Sequence, residues 1–93
     1  MNLLNLRNER IFLTVDEVSF TWFFMTGMTT KQIAAWMGLP ESKIYWLRKK
    51  VMIKAAAKNK NDLIGWFLNI RSLMGEEEIE TYTLKKRDSH YKR

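Results

Sequence analysis

Residues 29–60 read TTKQIAAWMGLPESKIYWLRKKVMIKAAAKNK, and their grammar decides the fold. Thr29 with Gln32 three residues on makes a capping box, in which hydroxyl and amide side chains each satisfy a backbone donor that a helix start leaves open. Met28 and Ile33 stand at hydrophobic-staple spacing, and Gly38 suits the left-handed position that closes a helix. These signals predict a short helix over 30–37. Pro40 has the fixed φ of a first helical turn and Glu41 sets negative charge at the positive end of the next helix, predicted from 40 or 41 to 57. On that helix Ile44, Leu47, Val51 and Ala55 share a narrow apolar stripe. At about 100° per residue, Ser42, Trp46, Lys49 and Ile53 project from the opposite side, with Lys43 and Lys50 along one edge and Tyr45 along the other.

Working outward, Thr14 and Glu17 form another capping box with Leu13 and Val18 as its staple, and Gly27 as its stop, predicting a helix over about 15–26. Asn59 with Asp62 marks a further start and Gly75 a stop, giving a helix from about 60 to 74. Its stripe of Leu63, Phe67, Ile70 and Met74 leaves Trp66, Leu68 and Leu73 off centre, and the helix over 15–26 carries a similar apolar surplus. Such surplus marks either a partner surface or a core wrapped on several sides. Residues 76–93 run from acidic to basic and read as a charged tail, in which Ile79–Leu84 weakly permits a strand paired with Arg10–Leu13. Residues 1–12 read as an N-terminal extension, and 13–75 as the single domain.

The net charge of +6 is not evenly spread. Half of the sixteen Lys and Arg residues fall in 29–60 (Lys31, Lys43, Arg48, Lys49, Lys50, Lys54, Lys58 and Lys60) against Glu41 alone, while the remaining segments are near neutral. A concentrated positive field attracts polyanions through counterion release and steering, so nucleic acid is the natural partner class. The absence of cysteine excludes disulfides and thiolate metal sites, and the lone His90 has no second ligand beside it. No paired carboxylates, nucleophile with base, or phosphate loop is present, so no enzymatic activity, cofactor or small-molecule ligand is expected. No apolar run approaches the ~18 residues of a membrane span, and the first residues lack signal-peptide grammar, which together imply a cytoplasmic protein without membrane association.

Two helices joined by a tight Gly-containing turn, the second of them basic and aromatic on its outer face, are written as helix-turn-helix DNA readers are. The order of elements carries the reading further. FLTVDE followed by GMTTKQIAAWMGLPESKIYWLRKKVMIKAAAKNKNDLI resembles the LuxR-type DNA-binding domain, which is also the output module of NarL/FixJ response regulators. Leu13, Thr14, Glu17, Gly27, Lys31, Ile33, Ala34, Glu41, Ile44, Arg48, Lys54, Asp62 and Leu63 match that family's pattern in kind, without a gap, and the resemblance covers about residues 11–68. Pro40 stands where the family has a Ser cap, Leu47 where it commonly has His, and Ala55-Ala56-Ala57 where it has Leu-Gly-Val.

The resemblance implies an all-α, four-helix helix-turn-helix domain that binds double-stranded DNA and regulates transcription, here without a sensor domain, as in a small bacterial or phage regulator. It places base contacts on Tyr45, Trp46 and Lys49, with Lys43 at their edge. Phosphate contacts fall on Thr29, Thr30 and Lys31 at a helix start, and on Arg48, Lys50, Lys54, Lys58 and Lys60. In this family the fourth helix is the usual dimer contact, here offering Trp66, Leu68 and Leu73. The rival expectation is a protein-interaction module, an anti-activator or co-regulator that forms a heterodimer with a larger LuxR-type regulator.

Overall fold

The computed structural model describes the backbone of residues 1–74 and the side chains of residues 1–70. Two short strands, β1 (Asn2–Leu4) and β2 (Arg10–Phe12), precede four helices: α1 (Val15–Met25), α2 (Thr30–Met37), α3 (Glu41–Ala55) and α4 (Lys60–Met74). The helices begin where the capping signals put them. Thr14 Oγ1 accepts from the Glu17 amide at 3.2 Å while the Glu17 carboxylate accepts from the Thr14 amide at 2.8 Å. Thr29 and Gln32 repeat this reciprocity at 3.1 and 2.9 Å. At α4 the Asp62 amide donates to Asn59 Oδ1, and the Asp62 carboxylate accepts from the Lys58 amide.

The core is one cluster. α1 is its axis, with Glu17, Val18, Ser19, Phe20, Thr21 and Phe24 all buried. The apolar surplus of this helix therefore wraps the core on several sides: Trp22, Phe23 and Met25 are half-buried and pack against the same cluster. α3 lies against α1 and α2 and also meets α4 and β2. Its seam of Ile44, Leu47, Val51 and Ala55 is buried to 2% exposure or less. Each of the three larger side chains contributes about 1.5–3 kcal/mol by leaving water, so the seam fixes the rotation of α3 about its axis. α4 adds Leu63, Trp66, Phe67 and Ile70.

Three features differ from the sequence expectation. Residues 1–12 are not a bare extension, and the described residues form four helices plus a two-stranded sheet. β1 and β2 pair antiparallel with Leu3 opposite Ile11, and Met1 and Leu13 are buried beneath them. Asn5 organises the connection: its Oδ1 accepts from the Arg7 and Glu9 amides, and its Nδ2 donates to Glu9 Oε1 and the Lys54 carbonyl. Asn8 takes the left-handed conformation at φ 60°, which asparagine tolerates better than most residues. The Leu6 amide then donates to the Ala55 carbonyl, so the hairpin caps the end of α3.

Second, α3 ends at Ala55 rather than 57. Ala56 adopts φ 58°, ψ 34°, a left-handed C-cap that costs a residue with a Cβ about 1–2 kcal/mol. Ala56→Gly should remove the steric cost and lose part of the gain to unfolded-state entropy, a net stabilisation of about 0.5–1 kcal/mol that a urea midpoint with unchanged m-value will register.

Third, Trp66 is not a surface residue. It is 5% exposed, and its Nε1 donates to the Leu4 carbonyl at 2.9 Å, tying α4 to the hairpin. The Leu73 side chain, which carries its expected interface role, lies outside what is described, as do the Gly75 stop, His90 and the 76–93 tail with its strand expectation.

Candidate nucleic-acid interface

Because its seam is buried, α3 presents the residues opposite to solvent: Tyr45 is 56% exposed, Trp46 48% and Ile53 66%, and Ser42 and Lys49 are exposed beside them. At about 100° per residue, Trp46, Lys49 and Tyr45 follow one another across this face. Cations bound it on both sides. The Lys43 and Lys50 ammonium groups lie 4.2 and 4.3 Å from the centroid of the Trp46 ring. On the other side the Arg48 guanidinium and the Lys60 ammonium lie 5.2 and 5.0 Å from the centroid of Phe24, whose ring is otherwise buried. Such contacts contribute about 0.5–1 kcal/mol each at exposed sites and hold flexible side chains near one position.

α2 reaches the same region through the turn at Gly38, whose φ of 66° gives the sharp exit, and Ala34, buried at 7%, permits close helix approach. Thr29 is the N-cap of α2, Thr30 its half-buried first residue and Lys31 exposed in its first turn. Backbone amides and a cation are thus gathered at one helix start, a site suited to an anion. A cleft beside Trp46, lined by Thr14, Val15, Asp16, Lys43 and Lys50, marks where the acidic start of α1 bounds the cationic face.

Lys54 does not join this surface. Its Nζ donates to Glu17 Oε1 at 2.7 Å and to the Phe12 carbonyl at 2.8 Å, so it links α3 to α1 and β2. The phosphate contact expected of Lys54 is replaced by a structural ion pair. Nothing in the sequence separated it from the other lysines except its place on the helical wheel, nearer the seam than the outer face. Burial pushes the Glu17 carboxyl up, but the Lys54 hydrogen bond, the Thr14 amide and the Lys54 charge outweigh it and hold the group below the ordinary carboxylate value. Lys58 is exposed between α3 and α4. Leu68 is exposed on α4 at 46%, whereas Trp66, expected beside it at an interface, belongs to the core.

A second aromatic pair, half-buried Phe23 and exposed Trp36, was not assigned a role from sequence. Phe23 and Trp36 stack with centroids 6.2 Å apart and planes 2° from parallel. They stand next to a shallow depression lined by Met28, Gln32, Ala35 and Trp36. Among the described residues no group of His, Asp and Glu is placed to hold a metal ion, and no helix is long and apolar enough to cross a membrane. No family model, curated protein or solved structure matches the chain.

Proposed function

We propose that this domain is a LuxR-like helix-turn-helix regulator that lays the outer face of α3 in the major groove of duplex DNA. The observation that carries the reading is the rotation of α3: its aliphatic seam is sealed against α1 and α2 while Tyr45, Trp46 and Lys49 face solvent between two pairs of cations. Lys49 donates to guanine O6 or N7, or to a phosphate; Tyr45 and Trp46 read base edges; Lys43, Lys50, Arg48 and Lys60 hold the flanking backbones. Lys31 and the amides at the α2 start take a further phosphate, with Lys58 beside the α4 start adding to the field.

Paired copies of such a reader suit half-sites about one helical turn apart. Selection of bound duplexes from a random pool at ~150 mM salt is the direct test, because nonspecific attraction is already weakened there. An enriched palindrome is expected, with Lys49→Ala weakening its retention about tenfold or more. A protein that retains no duplex even at low salt refutes the reading.

One observation favours a second reading. Half-buried Phe23 stacked on exposed Trp36, with the depression that Trp36 lines, offers an aromatic surface of the kind an interaction module pairing with a larger regulator requires. Tight partner binding indifferent to Lys49→Ala and Lys50→Ala distinguishes that case.

A further inference from the structure

The outer face of α3 offers few hydrogen-bonding groups and much hydrocarbon. Of the five side chains that project outward, Trp46, Tyr45 and Ile53 are aromatic or aliphatic and each is about half exposed or more, so apart from the Tyr45 hydroxyl and the Trp46 indole N–H the polar reach is left to Lys49 and the small Ser42. Duplex DNA presents one apolar feature in its major groove, the C5-methyl group of thymine, which cytosine carries only when methylated. A reader that discriminates successive base edges by hydrogen bonds uses several forked side chains such as Arg, Asn or Gln, whereas among these five positions Lys49 alone brings a cationic donor to a guanine edge.

The disposition of Trp46 narrows this further. Its π surface is already engaged by the Lys43 and Lys50 ammonium groups at 4.2 and 4.3 Å. Stacking an unpaired base on the ring requires displacing them, whereas the side chain is still 48% exposed and open to lateral contact. The same two ammoniums lie along one edge of the face, where they can reach the phosphates of one strand, while Arg48 and Lys60 stand on the other side. Resting on the reading of α3 as a duplex-binding helix, we infer that the protein selects its sites by 5-methylpyrimidines, with the Trp46 edge, supported by Tyr45, as the specificity-determining contact.

The test uses the full chain and two pairs of 24-bp duplexes at ~150 mM salt, with dissociation constants from fluorescence anisotropy. One pair is A·T-rich, with thymine or with deoxyuridine at every such position; the other is G·C-rich, with cytosine or 5-methylcytosine. Each contacted methyl is worth about fourfold, the equivalent of about 0.8 kcal/mol per buried methyl group. The methylated member of both pairs is therefore expected to bind at least fourfold tighter. Trp46→Ala should equalise the members of each pair, while Lys49→Ala weakens binding but leaves the preference within each pair in place. Equal binding of thymine and deoxyuridine duplexes by the wild-type chain overturns the inference and leaves the duplex reading standing. Failure to retain any duplex overturns both. Tighter retention of a thymine single strand than of the duplex also overturns it, by pointing to stacking on the ring.

Discussion

Lys54→Met is expected to destabilise the domain by about 3 kcal/mol, although the lysine is a partly exposed residue in a chain with many lysines. The reason is the partner it abandons. Glu17 is 1% exposed, and its Oε1 accepts from both Lys54 Nζ and the Thr14 amide, while Oε2 accepts no bond from the described residues. Removing the cation leaves a buried carboxylate without its counter-charge, a change that costs about 3–5 kcal/mol in protein interiors. The exposed side of Lys54 puts the expectation at the lower end. Loss of the bond to the Phe12 carbonyl loosens the hairpin as well. The double variant Glu17→Gln, Lys54→Met should recover a large part of the loss, because a neutral amide can still accept from Thr14 without carrying a buried charge. Urea unfolding of the two single variants and the double variant measures the coupling. A Lys54→Met protein as stable as wild type would show that Glu17 needs no cation.

The same pair sets an acid limit. Glu17 is held below the ordinary carboxylate value, so the folded state binds its proton less readily than the unfolded chain. Stability from this group is therefore fully present above the unfolded-state pKa of about 4.3 and is lost as pH falls through the lower folded value. In the Lys54→Met protein the hydrogen bond and charge that lower the pKa are gone, while burial still raises it and the Thr14 hydrogen bonds still lower it, so the carboxyl titrates higher than in the wild type. The stability lost on going from neutral pH toward 4 should therefore be smaller than in the wild-type chain.

The helices were legible because their ends are written in local chemistry. Thr14–Glu17, Thr29–Gln32 and Asn59–Asp62 each satisfy a helix start with side chains three residues apart, and such signals need no tertiary partner. The face of α3 was legible because four aliphatic residues at helical spacing overrule everything else on that helix. The hairpin was not, because strands of three residues are too short for a period of two to emerge, and MNLLNLRNERIFL mixes apolar and polar residues without alternation. Asn5 and Asn8 were the available clue, both residues that favour turns. Trp66 and Lys54 were misplaced for one shared reason: their partners, the Leu4 carbonyl and Glu17, lie 62 and 37 residues away in sequence. A contact of that range leaves no trace in local pattern, and a lysine bound to a buried acid looks, in sequence, like a lysine waiting for phosphate.

That difference among the lysines gives the other large effect expected of this chain. The triple variant Lys43→Ala, Lys49→Ala, Lys50→Ala should bind a cognate or generic duplex about a hundredfold more weakly at ~0.15 M salt, because each phosphate contact releases condensed counterions and contributes about 0.9 to the slope of log K against log salt. The slope itself should fall by about 1.8 for Lys43 and Lys50, and by about 2.7 where Lys49 also meets a phosphate, a measurement that does not depend on knowing the operator. Fold integrity is not at stake, since Lys43 and Lys49 are exposed and Lys50 is half-buried over Trp46. The two cation–π interactions that the variant removes contribute only about 0.5–1 kcal/mol each. Arg10→Ala on the hairpin is the control: it removes the same unit of net charge from a face away from α3's outer residues, and the slope should stay within a few tenths of wild type. If the single Arg10 change shifted the slope as much as one of the three lysines does, binding would follow net charge rather than the face of α3. If the triple variant kept the wild-type slope, phosphates would not be what these lysines meet.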